Sequence, residues 1–437
     1  MPAKRHRTSA LEQWTMDLLL RRIREKEAEL IGLTQDLVRI PTINPPGCDY
    51  RACAELIGDR LQKKGFQVIY RRGEGTPGDS DAYPRENVIA RWDGKRPGPC
   101  LHFNGHIDVV PVGEGWTRDP FAAEVSEGKI FGRGTCDMKG GIAAAVIAVE
   151  SLIEVIPDLP GAIEISGTAD EETGGYGGVA YLAENGFFSK PRVDHVIIPE
   201  PLNVDRICLG HRGVWWAEIE TLGRIAHGSM PFLGDSAILH MNAFLQRLEK
   251  DLMPRLAERK TAMPVVPQEA KRSTLNINSL HGGLDECFEG LPAALVADSC
   301  RMVIDRRFLI EEDLSDVQKE FLTILDSLEA ERPGFRYKIR ELMSVQPTMT
   351  DASAPVVLAI DEAIGRILGR PAKYVVSPGT YDQKHIARLG KLHDCIAYGP
   401  GILDLAHQPD EFISVDDMLN SAQVMALAAL SLLQGES

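Results

Sequence analysis

The 437-residue chain has no excess of positive charge: 48 Lys plus Arg stand against 63 Asp plus Glu, a formal net charge of -15. That balance disfavours nucleic acid and anionic membrane surfaces as partners. Long apolar runs are also missing. Leu18 to Leu20 is followed at once by Arg21, Arg22 and Arg24, so the basic opening Met1-Pro2-Ala3-Lys4-Arg5-His6-Arg7 leads into no signal-peptide core, and no stretch is long enough to span a bilayer. The eight cysteines (Cys48, Cys53, Cys100, Cys136, Cys208, Cys287, Cys300, Cys395) contain no Cys-x-x-Cys pair. They read as reduced cytoplasmic thiols, mostly small buried hydrophobes, rather than a disulfide frame or a zinc knuckle. Internal repeats and low-complexity tracts are absent as well. The length leaves room for roughly two or three domains with an ample core.

Alternation of helix and strand patterns fills most of the chain. Residues 10–38 carry apolar positions at helical spacing and stop before Pro41 and the turn-forming Asn44-Pro45-Pro46-Gly47, which predicts one leading helix. A helix pattern over 52–64 precedes strand patterns at 67–70, 87–92 and 100–104. Residues 142–156 are too apolar for a surface helix, and 162–168 resembles a buried strand. This alternation implies an α/β layer with a largely parallel sheet. From about Val214 the order becomes strand 215–221, helix 237–252, strands 274–280 and 301–308, helix 314–328 and strand 337–342. Such a βαββαβ order is the split βαβ arrangement of a small sandwich, inserted into the first domain. The α/β texture returns after Met343, while 73–85 and 254–271 read as ordinary loops. The expected organisation is therefore an α/β domain built from 1–212 and 343–437, with 213–342 inserted.

Chemistry concentrates where strands end. His106 and Asp108 flank Ile107 after the run Cys100–Asn104, so on a strand both point to one face, and Asp108 can accept the second imidazole N–H. Asp137 lies in the glycine-lined stretch Gly132-Arg133-Gly134-Thr135-Cys136-Asp137-Met138-Lys139-Gly140-Gly141. Histidine with carboxylates is a mixed N/O donor set suited to zinc or a similar divalent ion. Asp170-Glu171-Glu172 follows the 162–168 strand, at the usual crevice of an open α/β sheet. Adjacent carboxylates repel unless a cation holds one, and the neighbour then stands ready as a base. Glu200 follows Val196-Ile197-Ile198, and His407 lies in Asp404-Leu405-Ala406-His407-Gln408-Pro409. Plainer readings exist for each: a turn histidine with a capping Asp, an N-cap carboxylate at Asp137, a solvated acidic loop, a loop glutamate and a loop histidine.

As an ordered set, His106, Asp137, Glu171-Glu172, Glu200 and His407 resemble the zinc-dependent M20 peptidase and amidohydrolase family, acetylornithine deacetylases and succinyl-diaminopimelate desuccinylases in particular. Gly105-His106-Ile107-Asp108-Val109-Val110-Pro111, the segment Gly132 to Gly140 and Asp170-Glu171-Glu172 carry the resemblance, which extends over nearly the whole chain from about residue 30. It implies a zinc-exopeptidase-like catalytic domain with an inserted ferredoxin-like α+β lid that forms a homodimer. It implies two zinc ions, with cobalt or manganese as substitutes: Asp137 bridges them, His106 and Glu200 complete one site, and Glu172 and His407 the other. Glu171 would be general base and then acid, with Asp108 beside it as a further catalytic residue. His227, in Ala226-His227-Gly228-Ser229, would be an oxyanion donor, often reaching a dimer partner's site. Arg307 resembles the arginine that pairs with a substrate carboxylate, for which a planar fork is apt, the plainer reading being an ion pair with Asp305.

The chain departs from the family pattern where substrate would bind. Ala294-Leu295-Val296-Ala297 stands where near-relatives tend to have Asn-Val-Val-Pro, and Pro378-Gly379-Thr380-Tyr381-Asp382-Gln383-Lys384 replaces Gly-Gly-Thr-Asp-x-Arg. Backbone at Gly379 and Thr380 can still bind an anion, with Lys384 supplying charge without the planar fork. The expected activity is hydrolysis of N-acyl amino acids in the cytoplasm, N-acetylornithine first among them. Open alternatives are a deformylase or amidohydrolase of a non-amino-acid amide such as formylaminopyrimidine, a dipeptidase, and a catalytically silent binding protein on the same scaffold.

Overall fold

The structure is a computed structural model that describes residues 10–283 and 293–435. Cys287 and the basic opening lie outside the described residues. The chain divides into two compact units: 1–209 with 350–374 and 381–437, and 210–349 with 375–380.

The sheet of the first unit runs Gln67–Arg72, Glu86–Asp93, Pro160–Thr168, Arg96–His106, His195–Ile198, Cys395–Ala397, Arg206–His211. Its centre is parallel: Arg96–His106 pairs in that sense with Pro160–Thr168 and His195–Ile198, which in turn pairs in parallel with Cys395–Ala397. The pairings outside that centre are antiparallel. The sheet is thus mixed rather than largely parallel, because burial patterns report which strands are interior and not the direction in which they run. The register His106 opposite Thr168 brings two strand ends level, so that the loops leaving them share one edge of the sheet.

Helix Gly140–Val155 is buried continuously from Gly140 to Ile153, which explains its apolar composition. It packs against Val415–Gln434, a helix whose N-cap Ser414 accepts from the Asp417 amide. Its close seat on the sheet depends on glycine. A Cβ on Gly105 would lie 2.4 Å from Ile142 Cγ1, and one on Gly141 would lie 2.0 Å from the Pro199 carbonyl. The predicted single leading helix is two, Ala10–Glu25 and Glu27–Val38. Lys26 sits at the break with its ammonium 2.8 Å from Glu154, so a buried charge fixes a joint that apolar spacing alone would carry straight through.

In the second unit, a four-stranded antiparallel sheet has the order Thr274–Gly282, Ser299–Phe308, Gly213–Leu222, Arg336–Val345. With helices Ala237–Arg247 and Leu314–Glu331, this is the ferredoxin-like arrangement read from the sequence. Trp215, Phe244, Met302, Phe308 and Phe321 fill its core. The stretch 254–271, expected as loop, begins inside a short helix, Met253–Glu258, with Pro254 in its first turn where a missing N–H costs nothing. Among the described residues, no helix is long and apolar enough to cross a membrane, and seven cysteines are free.

Candidate metal centre and active site

The carboxyl ends of the parallel strands converge on one cluster. His106 closes the strand Arg96–His106, Glu171 and Glu172 follow Pro160–Thr168, and Glu200 follows His195–Ile198. Asp137 comes from the turn before helix Gly140–Val155, and His407 from the loop before Phe412–Ser414. Asp137 does not cap that helix, whose N-cap is Lys139. Its two oxygens instead face two histidines: Oδ1 lies 3.0 Å from His106 Nε2 and Oδ2 lies 3.4 Å from His407 Nε2. Glu200 Oε1 is 3.9 Å from His106 Nε2, and Glu172 Oε2 is 3.3 Å from His407 Nε2. Ligand atoms of His106, Asp137 and Glu172 all fall within 4.8 Å of one another.

Asp108 braces this cluster from below. Its carboxylate accepts from the backbone amides of Glu171 and Glu172, each at 3.1 Å, and from Asn44 Nδ2 at 2.8 Å. His106 Nδ1 lies 3.1 Å from the Asp108 carbonyl and 3.5 Å from its carboxylate, so the main-chain oxygen is the nearer acceptor and Nε2 is left facing the acidic cluster. Backbone strain also gathers here: Asp170 and His407 take φ of 73° and 64°, uncommon for residues with a side chain.

The electrostatics are those of carboxylates packed without enough positive charge. Burial and the neighbouring Asp137 raise Glu172 to about 7 despite its hydrogen bond to His407. Burial and Asp137 push Glu200 well above the ordinary range too. Asp137 resists burial because His106 and His407 hold it below that range. Hydrogen bonds to Asp137 and Glu172 raise His407 to about 10. Glu172 Oε1 is buried with no hydrogen-bond partner. An orphaned acceptor within a mixed imidazole and carboxylate set fits a divalent cation, whose charge would reverse these shifts.

Sequence reasoning missed the brace on the other side. Glu411 Oε1 accepts from the amides of Gly134, Cys136 and Asp137 at 3.0, 2.8 and 3.1 Å, and Oε2 pairs with Arg133 at 2.6 Å. Arg133 also donates to the His407 carbonyl at 3.3 Å. This buried pair therefore ties the Asp137 turn to the His407 loop. Its only sequence signal was an arginine between two glycines. Glu411→Ala is expected to destabilise the fold by about 3–5 kcal/mol, because Arg133 is left buried and unpaired, and to weaken metal binding about 10–100-fold. Denaturant melts and metal titration of the variant check both.

Lys384 joins the cluster, with Nζ 3.0 Å from Glu171 Oε1. The other residues singled out for substrate belong to the second unit. His227 is exposed, its Nδ1 accepting from the Ser229 amide at 3.1 Å. Arg307 directs its fork at Asp305, at 2.7 and 2.9 Å. Gly379 N donates to Ser377 Oγ at 3.2 Å, and Thr380 is partly exposed.

Residues 102–431 match the model of Peptidase family M20/M25/M40. A succinyl-diaminopimelate desuccinylase of Stenotrophomonas maltophilia (strain K279a) is 30% identical over 397 residues, covering 89% of this chain and 95% of the relative. Human carnosine dipeptidase 1 shares the fold with a TM-score of 0.76 at 18% identity, covering 98% of this chain and 100% of that one. An M20 family metallo-carboxypeptidase from Sulfolobus solfataricus does so with a TM-score of 0.74 at 20% identity, covering 93% and 99%. With a family match over most of its length and a cluster of residues able to hold a metal at the strand ends, the chain belongs to the M20/M25/M40 peptidase family and is a metal-dependent amidohydrolase or peptidase.

Proposed function

We propose that the chain is a cytoplasmic dizinc deacylase that hydrolyses the amide bond of N-acyl amino acids, N-acetyl and N-succinyl derivatives foremost. The observation that carries this reading is the division of Asp137: one oxygen faces His106, beside which Glu200 lies, and the other faces His407, beside which Glu172 lies. His106, Asp137 and Glu200 would hold one ion, and Asp137, Glu172 and His407 the other. When bound, the ions supply Lewis acidity that polarises the amide carbonyl and makes water acidic at neutral pH. Glu171 takes the proton of the attacking water on Oε2, its Oε1 being held by Lys384, and returns it to the leaving amine. Asp108 fixes the Glu171 and Glu172 backbone, which sets where both side chains start. The relative's succinylated amino-acid substrate supports an acyl amino acid over an unmodified dipeptide.

In this reading Arg307, Gly379 and Thr380 bind the substrate carboxylate, with Arg307 exchanging Asp305 for it, and His227 donates to the carbonyl oxygen as it becomes negative. The second unit exposes Phe232 at 77% and Leu233, Leu239 and Leu280 at about half, apolar surface that a homodimer would cover. His227→Ala is expected to lower turnover about 10²–10³-fold, as loss of one oxyanion donor does, while metal content stays at the parental level; equal loss of both would make its role structural. The substrate assignment is tested by rates of the zinc-reconstituted protein on N-acetylornithine, other N-acetyl and N-succinyl amino acids, a formylaminopyrimidine and simple dipeptides. Preference for an acyl amino acid is expected, and faster cleavage of dipeptides or of the pyrimidine amide would overturn it.

A further inference from the structure

Tyr381 through His385 are buried without a break, an unusual state for a segment rich in polar side chains. Each is tied into the first unit. Tyr381 Oη donates to Gln383 Oε1 at 2.6 Å, and Gln383 Nε2 donates to Thr350 Oγ1 and to the carbonyls of Leu209 and Cys395 at 2.9, 3.1 and 2.8 Å. His385 Nε2 lies 2.7 Å from the Gly174 carbonyl, in the acidic loop itself. Asp382 Oδ2 accepts from Asn104 Nδ2 at 2.9 Å.

Behind Asn104 the bonds continue along two paired strands. Asn104 Oδ1 accepts from Ser166 Oγ at 2.7 Å, and Ser166 Oγ lies 2.7 Å from His102 Nε2. On its other side His102 Nδ1 lies 3.1 Å from the buried Glu164 carboxylate, so the ring closes the far end of the row. The Ser166 hydroxyl and the Asn104 amide thus donate in sequence toward Asp382, and hydrogen bonds in series strengthen one another. His102, Asn104 and His106 alternate on one strand, with Ser166 and Thr168 opposite Asn104 and His106 on the next, so the row shares a sheet face with the metal ligand His106.

Lys384 stands within this anchored segment, its side chain 4% exposed and its ammonium on Glu171 Oε1. A lysine that meets a substrate carboxylate needs its charge free for that carboxylate; this one is spent on the half-buried carboxylate of Glu171. We propose that Lys384 is a positioning residue for Glu171 rather than a substrate anchor, and that the row His102, Ser166, Asn104, Asp382 holds the turn from which it reaches. With Oε1 fixed, the carboxylate cannot rotate away and Oε2 is presented to the reacting water. The inference rests on the reading of Glu171 as the base.

The test uses the metal-loaded full-length protein and the best substrate of the panel above. Lys384→Met, close in volume and without charge, is expected to lower kcat about 10–100-fold, the scale of an ångström of misplacement, with KM within about twofold and metal content unchanged. Asn104→Ala, which touches neither Glu171 nor substrate in this account, lowers kcat in the same direction without raising KM. The double variant falls short of the product of the two effects, as groups acting through one another do. A raised KM with kcat retained in Lys384→Met makes the lysine a substrate anchor and overturns the proposal. So does an unchanged kcat in both single variants. Glu171→Gln separates the two levels. If it abolishes turnover while Lys384→Met and Asn104→Ala do not disturb it, only this inference falls. If Glu171→Gln turns over normally, the base assignment falls and takes this inference with it.

Discussion

Glu171→Gln lowers kcat by about 10²–10⁴-fold, the range that a positioned acid or base contributes, and leaves metal content and KM near parental values. Glutamine keeps the size of the side chain and an oxygen for Lys384 to bond, and the backbone amide at this position still donates to Asp108. What it cannot do is accept and return a proton. The neighbouring change separates proton transfer from metal binding. Glu172 faces His407 and carries a buried oxygen without a partner, so Glu172→Gln loses metal first and activity as a consequence. Zinc content and steady-state kinetics of the two variants, measured side by side, distinguish a base from a ligand one residue apart. Normal turnover in Glu171→Gln with full metal would remove Glu171 from the chemistry.

Stripping the metal makes the protein less stable, and more so as pH rises. In the metal-free site burial, with Asp137 near by, holds both Glu172 and Glu411 up at about 7. Their folded pKa values exceed the ordinary 4.5, so between about 4.5 and 7 the folded state keeps protons that the unfolded chain has lost. Stability then falls as pH climbs through that window. His407 continues the decline: bonded first to Asp137 and then to Glu172, it is raised to about 10, so its stabilising charge is intact below about 6.5 and lost toward 10. Metal works in the opposite direction, because its ligands bind deprotonated and affinity rises with pH. The gap in Tm between zinc-loaded and chelated protein is therefore expected to widen from pH 5 to pH 7, reaching about 2.7 kcal/mol of stabilisation when free zinc is a hundredfold above Kd. Scanning calorimetry at several pH values, with and without chelator, reads this directly. A gap that is absent, or constant with pH, would mean that the carboxylate cluster is not the metal site.

Much of the candidate site was legible because its histidines and carboxylates lie at the ends of recognisable strands. An apolar run ending in His106, another ending before Asp170-Glu171-Glu172 and a third ending before Glu200 are local patterns, and a parallel sheet centre brings such ends together. The helices and strands of the second unit were legible in the same way, since each shows its own periodicity. What escaped depends on partners far apart in the chain. Glu411 reads as an ordinary acidic residue until its carboxylate is seen on the Asp137 turn, 274 residues away. Lys384 reads as a free charge near an anion site until its ammonium is seen on Glu171, 213 residues away. The break at Lys26 and the antiparallel edges of the sheet escaped for related reasons: one is fixed by the buried ammonium of Lys26 on Glu154, and the others by strand direction, which hydrophobic patterning does not encode.

The central claim is that one carboxylate, Asp137, would be shared by two bound metal ions. The measurement that tests it most directly is an anomalous difference map from crystals of the protein grown with zinc, recorded on both sides of the zinc absorption edge. Two peaks are predicted, both against Asp137, one completed by His106 and Glu200 and the other by Glu172 and His407. A map with no peak beside Asp137, or with zinc held only by residues away from the strand ends, would contradict the account.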